Sequence, residues 1–265
     1  MLHRYFLKLS FKGTRYHGWQ IQKNAHSVQA ELNNALSTVL MEKIITTGCG
    51  RTDTGVHAKE FHAHFDLSAE SLTKSGFEKE NPKTKDLSHF IFKLNGCLPN
   101  DIAVQQITKV NSNAHTRFDA VSRTYQYFIS RKKDPFNMDE AYYLYGNLDI
   151  DMMNLAAIVL YNYTDFTCFS KSRTQVKTND CKITMAKWTS NGSLLIFTIT
   201  ANRFLRGMVR AIVGTMIEVG KEKITLNEFR KIIERKSRSG AGYSVPAHGL
   251  YLTQVSYPKT VFNNQ

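Results

Sequence analysis

The feature that most restricts the fold is a change of hydrophobic period that runs through the chain twice, in the same order. Residues 4–11 alternate, placing Tyr5, Leu7, Leu9 and Phe11 on one face, which is the pattern of a half-buried strand. Ser27 then stands as an N-cap before an apolar stripe at helical spacing: Val28, Leu32, Ala35, Leu36, Val39 and Leu40. A short strand over Lys43–Thr47, a glycine-bearing loop from Gly48 to Gly55, and a second alternation at Phe61, Ala63, Phe65 and Leu67 follow. Residues 69–86 are polar and lysine-rich and contain Pro82, so they read as an exposed insertion. A helix near Leu87–Gly96 is expected to end before Pro99, and a strand runs over Ile102–Val110.

The second half repeats this plan. Strand Arg123–Arg131 precedes a helix over Asp151–Tyr161, and strands Lys182–Thr189 and Leu194–Ala201 flank Asn191-Gly192, a hairpin signal. A helix is expected over Phe204–Val219, and another after Thr225, where Thr225-Leu226-Asn227-Glu228 fits a capping box. Leu250–Tyr257 closes the chain as a strand. Two strand–helix–strand–strand–helix–strand units predict an α+β protein, with two ferredoxin-like lobes sharing a mixed, mainly antiparallel central sheet. The lobes are expected at residues 1–111 and 112–265. No sequence repeat of fixed period accompanies them, so the duplication is one of pattern.

Composition narrows the setting. The 265 residues are 42% hydrophobic, enough for packed cores, and the longest apolar runs are far too short to cross a bilayer. Leu2 to Lys8 alternate like a strand and hold no apolar signal region, so a cytoplasmic protein with no membrane contact is expected. Cys49, Cys97, Cys168 and Cys181 form no CxxC pair and read as reduced thiols. A formal net charge of +13 points to an anionic partner, phosphate-rich polymer before membrane surface or acidic protein.

Chemistry concentrates in Gly48-Cys49-Gly50-Arg51-Thr52-Asp53-Thr54-Gly55-Val56-His57-Ala58. Gly50 and Gly55 have the spacing of a phosphate loop, but Val56-His57 stands where Lys-Ser/Thr is required. No GxGxxG or GxSxG occurs, which disfavours a dinucleotide site and a serine hydrolase. His57, His62 and His64 lack a cysteine or second close carboxylate to complete a metal set. An ordinary turn capped by Asp53 remains the plain alternative. Arg123, Tyr125 and Tyr127 share a strand face, either as sheet packing or as a stacking platform for a base beside a cation. Between Arg203 and Arg238 there are ten Lys/Arg against four Glu, with Arg206 and Arg210 one turn apart; this is a solvated face or a track for phosphates.

Five segments taken together resemble a known family. They are Tyr16-His17-Gly18-Trp19-Gln20-x-Gln22, Gly50-Arg51-Thr52-Asp53-x-Gly55-Val56-His57-Ala58, Arg123-x-Tyr125-x-Tyr127, Phe204-Leu205-x-x-Met208-Val209-Arg210 and Pro246-Ala247-x-Gly249-Leu250. Their order and spacing, from about residue 4 to residue 257, resemble the TruA family of tRNA pseudouridine synthases. The resemblance implies the pseudouridine synthase fold and a cofactor-free isomerisation of uridine at positions 38 to 40 of the tRNA anticodon stem-loop. It also implies a homodimer, with one tRNA lying across both subunits. Residue by residue, Asp53 matches the catalytic aspartate and Arg51 the arginine that helps displace the target base. Tyr125 matches the tyrosine that stacks on uracil, Arg210 the basic partner of the catalytic carboxylate, and Leu250 an apolar wall of the pocket. Thr54 departs from the alanine common in that motif, at a position outside these roles.

The residue types suit the chemistry. Uridine becomes pseudouridine by breaking the N1–C1′ bond and joining C1′ to C5, with no net redox change. A carboxylate can add to the ring, attack C1′ or assist proton loss from the sugar, and all three routes are open. A dry pocket disfavours a charged carboxylate and a neighbouring arginine favours it, which is a physical reason for a cation such as Arg210. Two other readings compete: an RNA-binding module without catalysis, and a metal-dependent nuclease. A mere binder has no need of a lone carboxylate facing phosphate, and a nuclease would need clustered carboxylates.

Overall fold

The computed structural model describes residues 2–75, 77, 87–171 and 178–262. The chain divides into two compact units, Met1–Val121 with Gln254–Gln265, and Ser122–Thr253. The first holds β1 (Leu2–Phe11), α1 (Val28–Leu40), β2 (Thr47–Gly48), β3 (His57–Ser68), α2 (Ala69–Ser75), α3 (Ser88–Cys97) and β4 (Ile102–Val110). Its strands lie in the order β4-β1-β3-β2, all pairs antiparallel. First and third strands at the centre are the ferredoxin-like arrangement.

The register of β1 on β3 sets Tyr5 opposite Phe65, Leu7 opposite Ala63 and Leu9 opposite Phe61. All six are buried, so the period-two pattern marks the core face as expected. On α1 the Ser27 side chain accepts from the Ala30 amide, and Val28, Leu32, Ala35, Leu36 and Leu40 are buried. Each of the valine and leucine side chains among them contributes about 1.5–3 kcal/mol when fully removed from water.

Two expectations fail here. The strand over Lys43–Thr47 shrinks to Thr47–Gly48, because α1 takes the preceding backbone donors: Ile44 N donates to Ser37 Oγ (2.9 Å) and Thr46 N to Asn33 Oδ1 (3.0 Å). The exposed insertion over 69–86 opens instead as helix α2, with Leu72 buried. Phe77 is also buried, edge-on to Tyr5 (4.9 Å) and Phe90 (4.5 Å). The rest of that segment, 76 and 78–86, lies outside the described residues.

The other face of β3 is polar and tightly wired. Lys8 Nζ lies 2.8 Å from Glu60, His62 Nε2 lies 3.3 Å from it, and Val255 N donates to it at 3.0 Å. Against the upward push of burial, these bonds hold the Glu60 carboxyl down at about 2. His64 is buried beside the Thr116 hydroxyl (2.9 Å), and burial, with Arg4 and His115 nearby, lowers its pKa to about 4.

A histidine whose folded pKa is lowered binds its proton more readily in the unfolded chain. Its contribution is fully present above about pH 6.5 and is lost as pH falls toward the folded value. Stability is therefore expected to drop by about 2 kcal/mol between pH 7 and about 5, before the contribution of Glu60 begins to be lost. Urea titrations at stepped pH should find this slope largely removed in His64→Gln. An unchanged slope would assign the acid sensitivity elsewhere.

The second unit holds β5 (Ser122–Ser130), β6 (Tyr142–Tyr143), α4 (Ile150–Val159), β7 (Ile183–Asn191), β8 (Leu194–Ala201), α5 (Met208–Gly220), α6 (Leu226–Glu234) and the first residues of β9 (Leu250–Ser256). The order β9-β5-β8-β7 repeats the plan of the first unit. β5–β8 and β7–β8 pair antiparallel, while β6 runs parallel to β5. The expected capping box opens α6: Thr225 Oγ1 accepts from Glu228 N, and the Glu228 carboxylate accepts from Thr225 N at 2.7 Å. α5 starts at Met208 rather than Phe204, since Gly207 takes a left-handed φ of 72° that a helix cannot contain.

With nine strands and six α-helices among the described residues, mixed but mainly antiparallel, the chain is α+β. No helix among them is long and apolar enough to cross a membrane.

Candidate active site

In the first unit, the loop carrying Arg51 and Asp53 is fastened along its length. Cys49 N donates to His62 O at 2.7 Å, extending the β2–β3 pairing by one bond. Val56 N donates to the Asp53 carbonyl at 3.2 Å, closing the turn through the backbone, and Val56 and Ala58 are buried.

A second loop, residues 13–20, braces the first. Trp19 N donates to Thr52 Oγ1 (3.0 Å), Gly55 N to Tyr16 O (3.2 Å) and Gly13 N to His57 Nδ1 (3.1 Å). At Gly18 the backbones approach so closely that a β-carbon would fall 2.2 Å from the Thr52 carbonyl oxygen. The brace is itself anchored, for Trp19 stacks on Phe61 at 4.2 Å and the Tyr16 hydroxyl donates to Asp101 at 2.5 Å. Arg51 is left exposed and Asp53 half-buried on a backbone with little freedom to move.

In the second unit, Tyr125 lies on β5 opposite Ile199. Its half-buried ring meets Phe204 edge to face, centroids 5.1 Å apart at 86°. Tyr127 shares that strand face by alternation but belongs to the core: it is fully buried and its hydroxyl donates to Pro246 O at 2.8 Å. Of the two tyrosines on that face, Tyr127 is therefore taken up by the core and Tyr125 alone keeps a half-buried ring. Arg123 sends Nη1 to Asn202 O (3.0 Å).

Arg210, in the first turn of α5, donates from Nε to Val245 O at 2.7 Å and accepts at its carbonyl from Val245 N. Leu250 is buried at the start of β9. The basic run from Arg203 to Arg238 is not a single track. Arg238 binds the carbonyls of Ala241 and Gly242, Lys236 pairs with Asp165 (2.9 Å) and Lys223 with Glu218 (3.3 Å).

Arg51 and Asp53 thus share one loop of the first unit, and Tyr125, Arg210 and Leu250 belong to the second. The three histidines do not converge: His57 accepts from Gly13, His62 sits by Glu60 and His64 by Thr116. No group of three or more His, Cys, Asp or Glu among the described residues could hold a metal ion. The bracing role of Tyr16 to Gln22 is not evident from residue types alone; its local signal is a glycine before a tryptophan. The place of Phe204 against Tyr125 is likewise not evident from residue types alone.

A family model described as tRNA pseudouridine synthase matches residues 157–258. Proteins named tRNA pseudouridine synthase A from Parabacteroides distasonis and Bacteroides fragilis are each 48% identical to this chain, with 98% of both chains covered. One of that name from Clostridium acetobutylicum is 38% identical over 95% of this chain and 98% of its own. These likenesses and the fold place the protein among the pseudouridine synthases, which are isomerases. Since identity of this order extends over nearly the whole length, the chain belongs to the tRNA pseudouridine synthase A family.

Proposed function

We propose that the protein isomerises uridine to pseudouridine at positions 38 to 40 of the tRNA anticodon stem-loop, with Asp53 as catalytic residue and without a cofactor. It works as a cytoplasmic homodimer on one tRNA. Arg51 takes the place of the displaced base, Tyr125 stacks on the uracil, Arg210 is the basic partner of the catalytic carboxylate, and Leu250 is an apolar wall. The observation that carries the reading is the loop of Arg51 and Asp53, fixed by Trp19 N on Thr52 and Tyr16 O on Gly55, which holds a carboxylate in place at the surface of a +13 protein.

The energetics are consistent. Taking a base out of its stack costs a few kcal/mol, and stacking on one aromatic ring returns about 1–3 kcal/mol. Insertion of Arg51 offsets more. The isomerisation conserves atoms: C1′ leaves N1 and joins C5, N1 gains a proton and C5 loses one. A single ionised carboxylate serves such a sequence as nucleophile or base.

The test is incubation of the purified protein with unmodified tRNA, with chelator and no cofactor, followed by carbodiimide labelling and primer extension. Stops confined to 38 to 40 are expected. Stops elsewhere would overturn the assigned positions. Tight binding without product would favour the non-catalytic RNA-binding module.

A further inference from the structure

We propose that Phe204 is a positioning residue for the reaction, fixing the plane of the Tyr125 ring before the uracil arrives. The inference rests on the reading of Tyr125 as the stacking residue. A ring on a strand face turns about its terminal torsion, a broad and shallow potential. A half-buried ring that must present one plane to a base therefore needs a contact that discriminates between orientations. The 86° edge-to-face contact at 5.1 Å does this, since the electropositive rim of one ring meets the electron-rich face of the other, and rotation loses it.

Phe204 is itself held on both sides. The Asn202 side chain accepts from Lys182 N (2.7 Å) and Arg203 N (2.9 Å), fixing the exit from β8. After Phe204, Leu205 is buried and its carbonyl accepts from Met208 N, and Lys171 N donates to Arg206 O at 3.0 Å. The left-handed turn at Gly207 keeps Phe204 out of α5. Leu205 and Met208 sink into the core, whereas Phe204 stays half-buried beside Tyr125. An apolar ring kept out of the core by an anchored turn, against the side chain proposed to receive the base, is placed for orientation rather than for burial.

The experiment follows tritium release from C5 of uridine-labelled tRNA in single-turnover reactions, together with tRNA binding. Phe204→Leu is expected to slow the reaction about 3- to 10-fold, the usual worth of an aromatic pair, with tRNA affinity within about twofold of the parent. Phe204→Tyr keeps the ring and should retain the parent rate. Phe204→Met keeps a long, flexible apolar side chain without the ring and should be as slow as Phe204→Leu. In a Tyr125→Leu background, Phe204→Leu should cost nothing further.

Multiplying losses, a Phe204→Met protein at the parent rate, or an unaffected Phe204→Leu protein would each overturn the proposal while the Tyr125 reading stands. A Tyr125→Leu protein at the parent rate would remove that reading, and the inference with it.

Discussion

Asp53→Asn is expected to lower pseudouridine formation by at least about a thousand-fold, with folding and tRNA binding close to those of the parent. The substitution is nearly isosteric. In its turn the Asp53 backbone carbonyl accepts from Val56 N, a bond that survives the change. The fixing bonds of the loop, Trp19 N to Thr52 and Gly55 N to Tyr16, do not involve the altered side chain. An amide can neither act as a base nor hold a covalent adduct as a carboxylate does, so each of the three routes open to Asp53 fails alike. Primer-extension stops and tRNA binding measured on the same preparation make the check. Product at more than a few per cent of the parent yield would displace Asp53 from its role. Lost binding would show instead that the carboxylate holds the loop.

What the sequence discloses and what it hides divide along physical lines. The core faces of β1 and β3 were legible because burial on one side of a sheet imposes a period of two, and the capping box of α6 because both its bonds are local in sequence. Depth along one face was not legible. Tyr125 and Tyr127 look equivalent by alternation, and it is contact with Pro246 and Gly249, far along the chain, that marks Tyr127 as core. Ile44-Ile45 reads as strand by β-branching, yet Ser37 and Asn33 claim the neighbouring amides, which no strand pattern records. Phe77 lies in a stretch that is polar by composition, and its partners Tyr5 and Phe90 come from other elements. Asp53 and Arg51 stood out as residue types in a loop, but the brace that fixes them depends on contacts between distant segments.

That brace gives the second large effect. Gly18→Ala is expected to cost at least about 3 kcal/mol of stability, or else to displace the loop and slow the reaction about a hundred-fold. Two penalties coincide. Gly18 has φ of 86°, where a β-carbon costs about 1–2 kcal/mol by itself. That β-carbon would also stand 2.2 Å from the Thr52 oxygen and 3.3 Å from the Asp53 carbonyl carbon, both backbone atoms that cannot swing aside. Relief requires the two loops to part, which strains the Trp19–Thr52 bond one residue away and moves Asp53 with it. Gly50→Ala is the matched control, because nothing lies within 4 Å of its would-be β-carbon and its φ is not positive. Urea unfolding and single-turnover rates on both proteins decide the matter. If contact with residues 13–20 positions the carboxylate, Gly50→Ala stays near the parent in both measurements while Gly18→Ala falls in at least one. A Gly18→Ala protein as stable and as fast as the parent would mean that the loop holds its place without the brace.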